Sequence, residues 1–416
     1  MLGIIFSTFA VILAVYGAYF LLTSLFCFRD FGKNKFTIGN HQPKHKFGIL
    51  VAARNEEDVI HLLIDSIHKQ NYPKELIEIF VIPNNCTDKT EEISAGLGAT
   101  IIDCTTRACK SKGDAMDHAF KSLVGRTDID AYINFDADNV VDKNFVRRMN
   151  DALCEGHVVA QGFRDAKNPK DNYLTGSYTI YFYLQNFFIS TSRMYLRGSA
   201  AINGTGWMIT KEAIDKYKYE TTTMTDDLEF TSQCAINKLK IVFVKDAITY
   251  DEHVTTFKAS WYQRRRWSTG ALQNLRKYYF KLFWSFVKTR NIASLDLTLF
   301  FMAPIMQVVG IVTGIFFFVN GIILADFSSP NLLDILSAFH IGGILSGLLV
   351  GFLVNFFVCK CYGQRNGMVK AMLLFPWFTI TWIPINLSCF FNKATKWHPI
   401  PHTTAVPIEK VQNGEK

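Results

Sequence analysis

The chain has 416 residues, 49% of them hydrophobic and 19% charged, with a formal net charge of +8. That length suits about two or three folding units, and the apolar share with a positive mean hydropathy places the chain in the membrane class. Its nine cysteines show no Cys-x-x-Cys pair and no accompanying histidine spacing, which argues against a zinc site or a disulfide framework and predicts reduced, structural thiols.

In chain order, Leu2 to Phe28 carries no Asp, Glu, Lys or Arg. It is long enough to cross roughly 30 Å of hydrocarbon at about 1.5 Å per residue, so residues 1–28 are expected to form a transmembrane helix. A basic n-region and a small-residue cleavage site are lacking, which favours a retained anchor over a signal peptide. The cationic flank Arg29, Lys33, Lys35, Lys44 and Lys46 predicts that the next domain, residues 29–255, lies in the cytoplasm.

From Lys46 short apolar runs alternate with amphipathic stretches, the pattern of a parallel sheet with crossover helices. Strands are predicted over Phe47–Ala53, Ile77–Ile82, Thr100–Asp103 and Ala131–Phe135, and helices over Asn55–Lys69, Thr87–Leu97 and Lys112–Leu123. This is a doubly wound α/β domain, in which ligands sit beyond the carboxyl ends of the strands. Arg54-Asn55-Glu56, Asn84 to Asp88 and Asp136-Ala137-Asp138 each begin where a predicted strand stops, so they should gather on one edge.

Residues 256–291 are basic and aromatic, with Trp261, Trp267, Tyr278, Phe283 and Trp284 among lysines and arginines, and predict one or more interfacial helices. The cationic excess from Lys258 to Arg290 is read as contact with lipid headgroups, not nucleic acid. Three apolar spans follow within residues 292–392, near Ile292–Leu324, Leu332–Val358 and Ala371–Phe391, and residues 393–416 form a polar tail. Lys360, Arg365 and Lys370 place the second connection inside, so three plain crossings would leave the tail outside, whereas Lys393 and Lys396 favour a cytoplasmic tail. With Pro376 and Pro384 in the last span, the helix count stays open.

Two aspartates one residue apart at the end of a buried strand are costly unless a cation compensates them, and such hard oxygen ligands suit Mg2+ or Mn2+ bound with substrate phosphates. A solvated loop is the bland alternative for Asp136 and Asp138. Asp226-Asp227-Leu228-Glu229 reads equally as a helix N-terminus capped by Thr225 or as a carboxylate able to deprotonate an acceptor hydroxyl. In Gln263 to Trp267, snorkelling accounts for Arg264 or Arg265, while arginine can also grip phosphate and Trp can stack on a sugar. Lys110, Lys112 and Gly113 make a smaller cationic turn, explained nearly as well by a helix start.

In this order the motifs resemble the membrane-bound family 2 glycosyltransferases, especially the processive synthases of cellulose, chitin, hyaluronan and poly-N-acetylglucosamine. The resemblance runs from about Lys46 to Trp267 and implies a GT-A type fold, an inverting transfer from a UDP-sugar, a divalent metal and an acceptor path among the membrane helices. It assigns Ala53, Arg54, Asn55, Glu56 and Asp88 to the nucleotide, with Asn84 where the family has an acid. It assigns Lys112 and Gly113 to the donor turn, Asp136 and Asp138 to the metal, and Gly204 and Gly206 to the acceptor loop. Asp227 would be the general base, preceded by Asp226 where the family has Glu, and Gln263, Arg266 and Trp267 match Gln-x-x-Arg-Trp. The expected enzyme extends a β-linked polysaccharide at the plasma membrane, with UDP-N-acetylglucosamine or UDP-glucose as donor. The alternatives are a single transfer to a membrane lipid, or a transporter or scaffold with a silent α/β domain. A requirement for an accessory subunit in secretion stays open.

Overall fold

The computed structural model describes residues 2–33, 35–104, 109, 111–324, 341–363, 366–391 and 405–413. Lys110, Arg365, Lys393 and Lys396, with the start of the predicted Leu332–Val358 span, lie outside them. An apolar helix α1 (Leu2–Ser24) leads into an eight-stranded sheet in the order β3-β2-β1-β4-β7-β6-β8-β5. Its central strand β1 (Phe47–Ala53) is apolar throughout, as a strand covered on both faces must be, and pairs in parallel with β2 (Ile77–Pro83) and β4 (Ala131–Asp136). The short β3 (Thr100–Ile101) extends this half, and α2 (Ile60–His68), α3 (Thr90–Gly96) and α4 (Lys112–Ser122) make its connections.

The four strands expected to be parallel are so, and the other half of the sheet is mixed. After β5 (Val140–Val141) and α5 (Phe145–Cys154), β6 (Val159–Ala166) leads into α6 (Tyr173–Leu184) and α7 (Ser192–Tyr195). The chain returns to the end of the sheet it left, so β7 (Trp207–Thr210) runs antiparallel to both β6 and β4. Following α8 (Lys211–Tyr217) and α9 (Asp226–Ile236), β8 (Ile241–Asp251) lies parallel to β6 and antiparallel to the edge strand β5.

Two helices start later than predicted. Asn55 has a left-handed backbone (φ 57°), and its side chain binds Thr87 instead of opening a helix, so α2 begins at Ile60. Asp88 accepts from the Thr90 N–H and hydroxyl, which turns Thr87 to Lys89 into a loop ahead of α3. A second correction concerns the thiols: Cys104 and Cys109 are joined in a disulfide, while seven described cysteines are free. Both lie between β3 and α4, five residues apart, a spacing that matches no motif.

One long helix, α10 (Phe257–Thr289), covers the basic aromatic region and ends where Arg290 turns left-handed (φ 56°). Beyond it run α11 (Ile292–Phe301), α12 (Ala303–Leu324), α13 (Ile341–Cys361), α14 (Val369–Ile380) and α15 (Trp382–Phe391). Leu2–Phe31, Ala303–Ile323 and Val369–Phe391 are long and apolar enough to cross a membrane. Asp296, an acid within α11, is satisfied by Arg193 of α7 (2.6 and 2.9 Å) and by the Tyr19 hydroxyl of α1 (2.9 Å), so three helices meet at one charge pair.

Arg264 is not a snorkelling cation. It is wholly buried, donates to the Phe378 carbonyl (3.0 Å) and Thr381 Oγ1 (2.7 Å), and lies over the Phe378 ring. It thereby closes the end of α14 and ties it to α10. The tail helix α16 (Ile408–Asn413) returns to the sheet domain, where Ile408 is buried with Leu62 and Val140, Glu409 pairs with Lys69 (2.7 Å) and Gln412 reaches Asp142 (2.7 Å). The tail helix thus packs against the sheet domain, the placement that Lys393 and Lys396 favour.

Candidate active site

The carboxyl ends of β1, β2 and β4 bring the predicted nucleotide residues onto one edge. Asn55 accepts from the Thr87 N–H (2.8 Å), the Glu56 N–H donates to Thr90 Oγ1 (2.8 Å), and the Glu57 N–H donates to Asp88 (3.1 Å). Asp88 thus stitches two loops together. Ala53 is buried and Arg54 exposed at the mouth of this edge. Asn84 is buried and donates to the Ser111 carbonyl (3.2 Å), joining the end of β2 to the start of α4, where Ser111 and Asp114 form a capping box.

Lys112 crosses from α4 to the metal motif, where its ammonium binds Asp136 and the Gly204 carbonyl (2.7 Å). Burial works against its charge, but Asp136, Asp226 and Asp227 outweigh that and hold the lysine above its ordinary range. At Gly113 a Cβ would stand 2.3 Å from Thr221 Oγ1, so only glycine lets the donor turn and the acceptor side approach this closely.

Asp138 is buried, and Asn139 Nδ2 bridges it to Asp251, at 3.2 and 3.3 Å. Arg164 donates to Asp251 (Nε, 2.9 Å) and to the Asn203 carbonyl (2.7 Å), and it holds Asp251 down at about 2 against the effect of burial. His253 lies 3.7 Å from Asp251, and burial pushes it down to about 4, leaving a neutral imidazole. Its Nε2 is buried without a hydrogen-bond partner. Oxygen donors beside a neutral, unsatisfied imidazole fit a divalent cation. Among the described residues no three His, Cys, Asp or Glu side chains close into a ligand set.

On the acceptor side, Asp227 sits at the first turn of α9, with its Oδ1 accepting from the Leu228 N–H (2.8 Å). Burial, with Asp226 beside it, raises its carboxyl to about 6. Asp226 accepts from Tyr219 (2.9 Å), and Thr225 makes no side-chain cap to α9, its hydroxyl being engaged by Asn274 (3.1 Å) instead. Gly204 is left-handed (φ 84°), and a methyl there would lie 3.6 Å from both Arg164 Nη1 and Asp227 Oδ2. Gly206 is also left-handed (φ 64°), its N–H donating to the Asn134 carbonyl (2.8 Å). Arg266 donates to the Met224 carbonyl (3.1 Å) and adds a positive charge near Asp227.

Gln263 lies one turn before Trp267 on α10. Trp267 stacks with Tyr181 of α6 and Trp382 of α15, with centroids 6.5 and 6.3 Å away and ring planes within 25°. Tyr181 is held by Gln185 (2.8 Å) and stands within electrostatic range of Arg164 and Asp227. Arg164, Asp251, His253, Tyr181 and Trp382 were not singled out from sequence. Arg164 in an apolar strand and the Asp-x-His at the end of β8 were the available signals.

A beta-monoglucosyldiacylglycerol synthase of Nostoc is 30% identical over 235 residues, 56% of this chain and 50% of the relative. A probable glycosyltransferase, YdaM, of Bacillus subtilis is 29% identical over 252 residues, 57% of this chain and 58% of the relative. The chain spans about half the length of the monoglucosyldiacylglycerol synthases it matches. A mannosyltransferase from Pyrobaculum calidifontis, solved with GDP-Man and Mn2+, has a TM-score of 0.59 at 14% identity, covering 90% of this chain and 99% of that one, and shows the same GT-A type fold. The family profile described as glycosyltransferase like family 2 matches residues 43–270, more than half of the sequence, and the chain belongs to that family.

Proposed function

We propose that the chain is a membrane-bound, inverting hexosyltransferase that moves one sugar from a UDP-sugar, UDP-glucose or UDP-N-acetylglucosamine, to a hydroxyl of a membrane lipid. The observation that carries this reading is the composition of the acceptor side: Tyr181 near Asp227 is continued by Trp267 of α10 and Trp382 of the apolar segment α15. An acceptor reaching Asp227 past these rings comes from the membrane. The similarity to glucosyldiacylglycerol synthases supports a lipid in that place.

In the proposed reaction Asp227 takes the proton of the acceptor hydroxyl as that oxygen attacks the anomeric carbon from the face opposite the diphosphate. The new carbon–oxygen bond forms as the bond to the diphosphate breaks, turning an α-linked donor into a β-linked product. Lys112 and Arg266 place positive charge where negative charge develops. Asp136 and Asp138 would hold Mg2+ or Mn2+, which when bound neutralises the departing diphosphate. Ala53, Arg54, Asn55, Glu56, Asn84 and Asp88 would line the nucleotide end, and Gly204 and Gly206 the acceptor loop. The cationic flank after α1 supports a plasma-membrane enzyme with its sheet domain cytoplasmic.

Extension of a β-linked polysaccharide is the second reading, favoured by Gln263, Arg266 and Trp267 in the Gln-x-x-Arg-Trp spacing. Purified protein in lipid, given Mn2+ and radiolabelled UDP-glucose or UDP-N-acetylglucosamine in parallel, separates the two. A single-sugar lipid is expected. A long polymer would install the second reading, and UDP release without either product would point to a missing acceptor or accessory subunit.

A further inference from the structure

Glu229 closes the acid cluster of α9, and its side chain has no exposed surface. The carboxylate accepts from the N–H groups of Thr222 (2.8 Å) and Thr223 (2.7 Å), from the Tyr278 hydroxyl (3.0 Å) and from the Lys277 ammonium. Burial alone would raise its carboxyl, but Lys277 and the two backbone donors reverse that and hold it below the usual range. A buried acid with this many donors is fixed in place.

What it fixes is the segment Thr221–Thr225, immediately ahead of Asp226 and Asp227. One face of α10 grips the same segment. Arg266 donates to the Met224 carbonyl (3.1 Å), Gln273 accepts from the Met224 N–H (2.8 Å), and Asn274 donates to the hydroxyls of Thr223 and Thr225 (both 3.1 Å). A Cβ at Gly270 would lie 2.3 Å from Thr225 Oγ1, so the packing there is backbone-close. At its other end the segment abuts the donor turn, through Thr221 against Gly113.

We propose that Glu229 is a positioning residue for sugar transfer: it locks Thr221–Thr225 onto α10 and so sets where the Asp227 carboxylate stands relative to the Lys112–Gly113 turn. This rests on the reading of Asp227 as the base. A merely structural acid would cost stability and leave the kinetics of the folded enzyme unchanged.

The test uses the full chain in vesicles containing diacylglycerol, with UDP-glucose and diacylglycerol varied separately. Glu229→Gln, Tyr278→Phe and Asp227→Asn are compared, and folding is followed by thermal melting. Folded Glu229→Gln should lose roughly tenfold to a hundredfold in kcat, as expected for a misplaced reacting group. Its donor KM should stay within about twofold of the parent. Tyr278→Phe, which removes one O–H donor with little change of shape, should show the same split to a smaller degree, and it decides the matter if Glu229→Gln does not fold. Parental kcat in the folded variants, or a donor KM that rises in step with the kcat loss, overturns the inference. Turnover in Asp227→Asn would instead remove the base assignment, whatever the Glu229 result.

Discussion

The two halves of the site are held together differently. On the donor side, the loops after β1 and β2 are stitched by neighbouring polar side chains, Asn55 to Thr87, Asp88 to Thr90 and Asn84 to Ser111, all within the parallel half of the sheet. On the acceptor side the ties are charges that bridge distant segments: Glu229 to Lys277, and Arg264 to the end of α14. The donor half is thus a property of the sheet domain, whereas the acceptor half exists only once α10 and the apolar segments have packed against it. A nucleotide can be met by a soluble surface, but an acceptor drawn from a bilayer has to be met by elements that lie in it.

The largest expected effect that sharpens this contrast is at the base. Asp227→Asn should lower kcat by roughly 10²- to 10⁴-fold, the usual range for a general base, while donor binding measured by titration with UDP stays close to parental. A matching loss of UDP binding would erase the distinction between the halves. Next comes pH. As the proposed base Asp227 would work deprotonated, and burial raises it to about 6, so kcat should climb from pH 5 to pH 7 and be half-maximal near pH 6. A flat profile over that range would contradict the assignment.

A smaller effect is expected where α10 meets α14. Arg264→Met strands the Phe378 carbonyl and should cost about 1–3 kcal/mol, read as a lowered melting temperature in detergent, and it should raise acceptor KM more than donor KM. Equal changes in both constants would mean that the donor half also depends on the membrane segments. The smallest concerns the Cys104 to Cys109 bond beside the donor half. Denatured, non-reduced protein should titrate seven thiols, and nine would place both cysteines in the reduced state that a cytoplasmic domain favours.

Much of the donor half was legible from local pattern. Strands β1, β2 and β4 are mainly apolar runs, and the polar residues that follow each are forced to one edge by parallel pairing, so Arg54, Asn84 and Asp136 could be placed together from the sequence. Errors there were local: Asn55 and Asp88 look like helix starts because asparagine and aspartate suit both caps and turns, and a hydrogen bond to a neighbouring loop decided between them.

The acceptor half was legible only as a set of motifs. The sequence by itself determined that Asp227 stands at a helix start and that Arg264, Arg266 and Trp267 share one helix, because helical periodicity and charge pattern are local properties. Tertiary structure alone decided that Arg264 turns inward to α14 while Arg266 reaches the segment before Asp227, that β7 runs against its neighbours, and that the tail returns to the sheet domain. Each of these depends on a partner far away in the chain, and a residue's charge or polarity says that it must be satisfied without saying by whom.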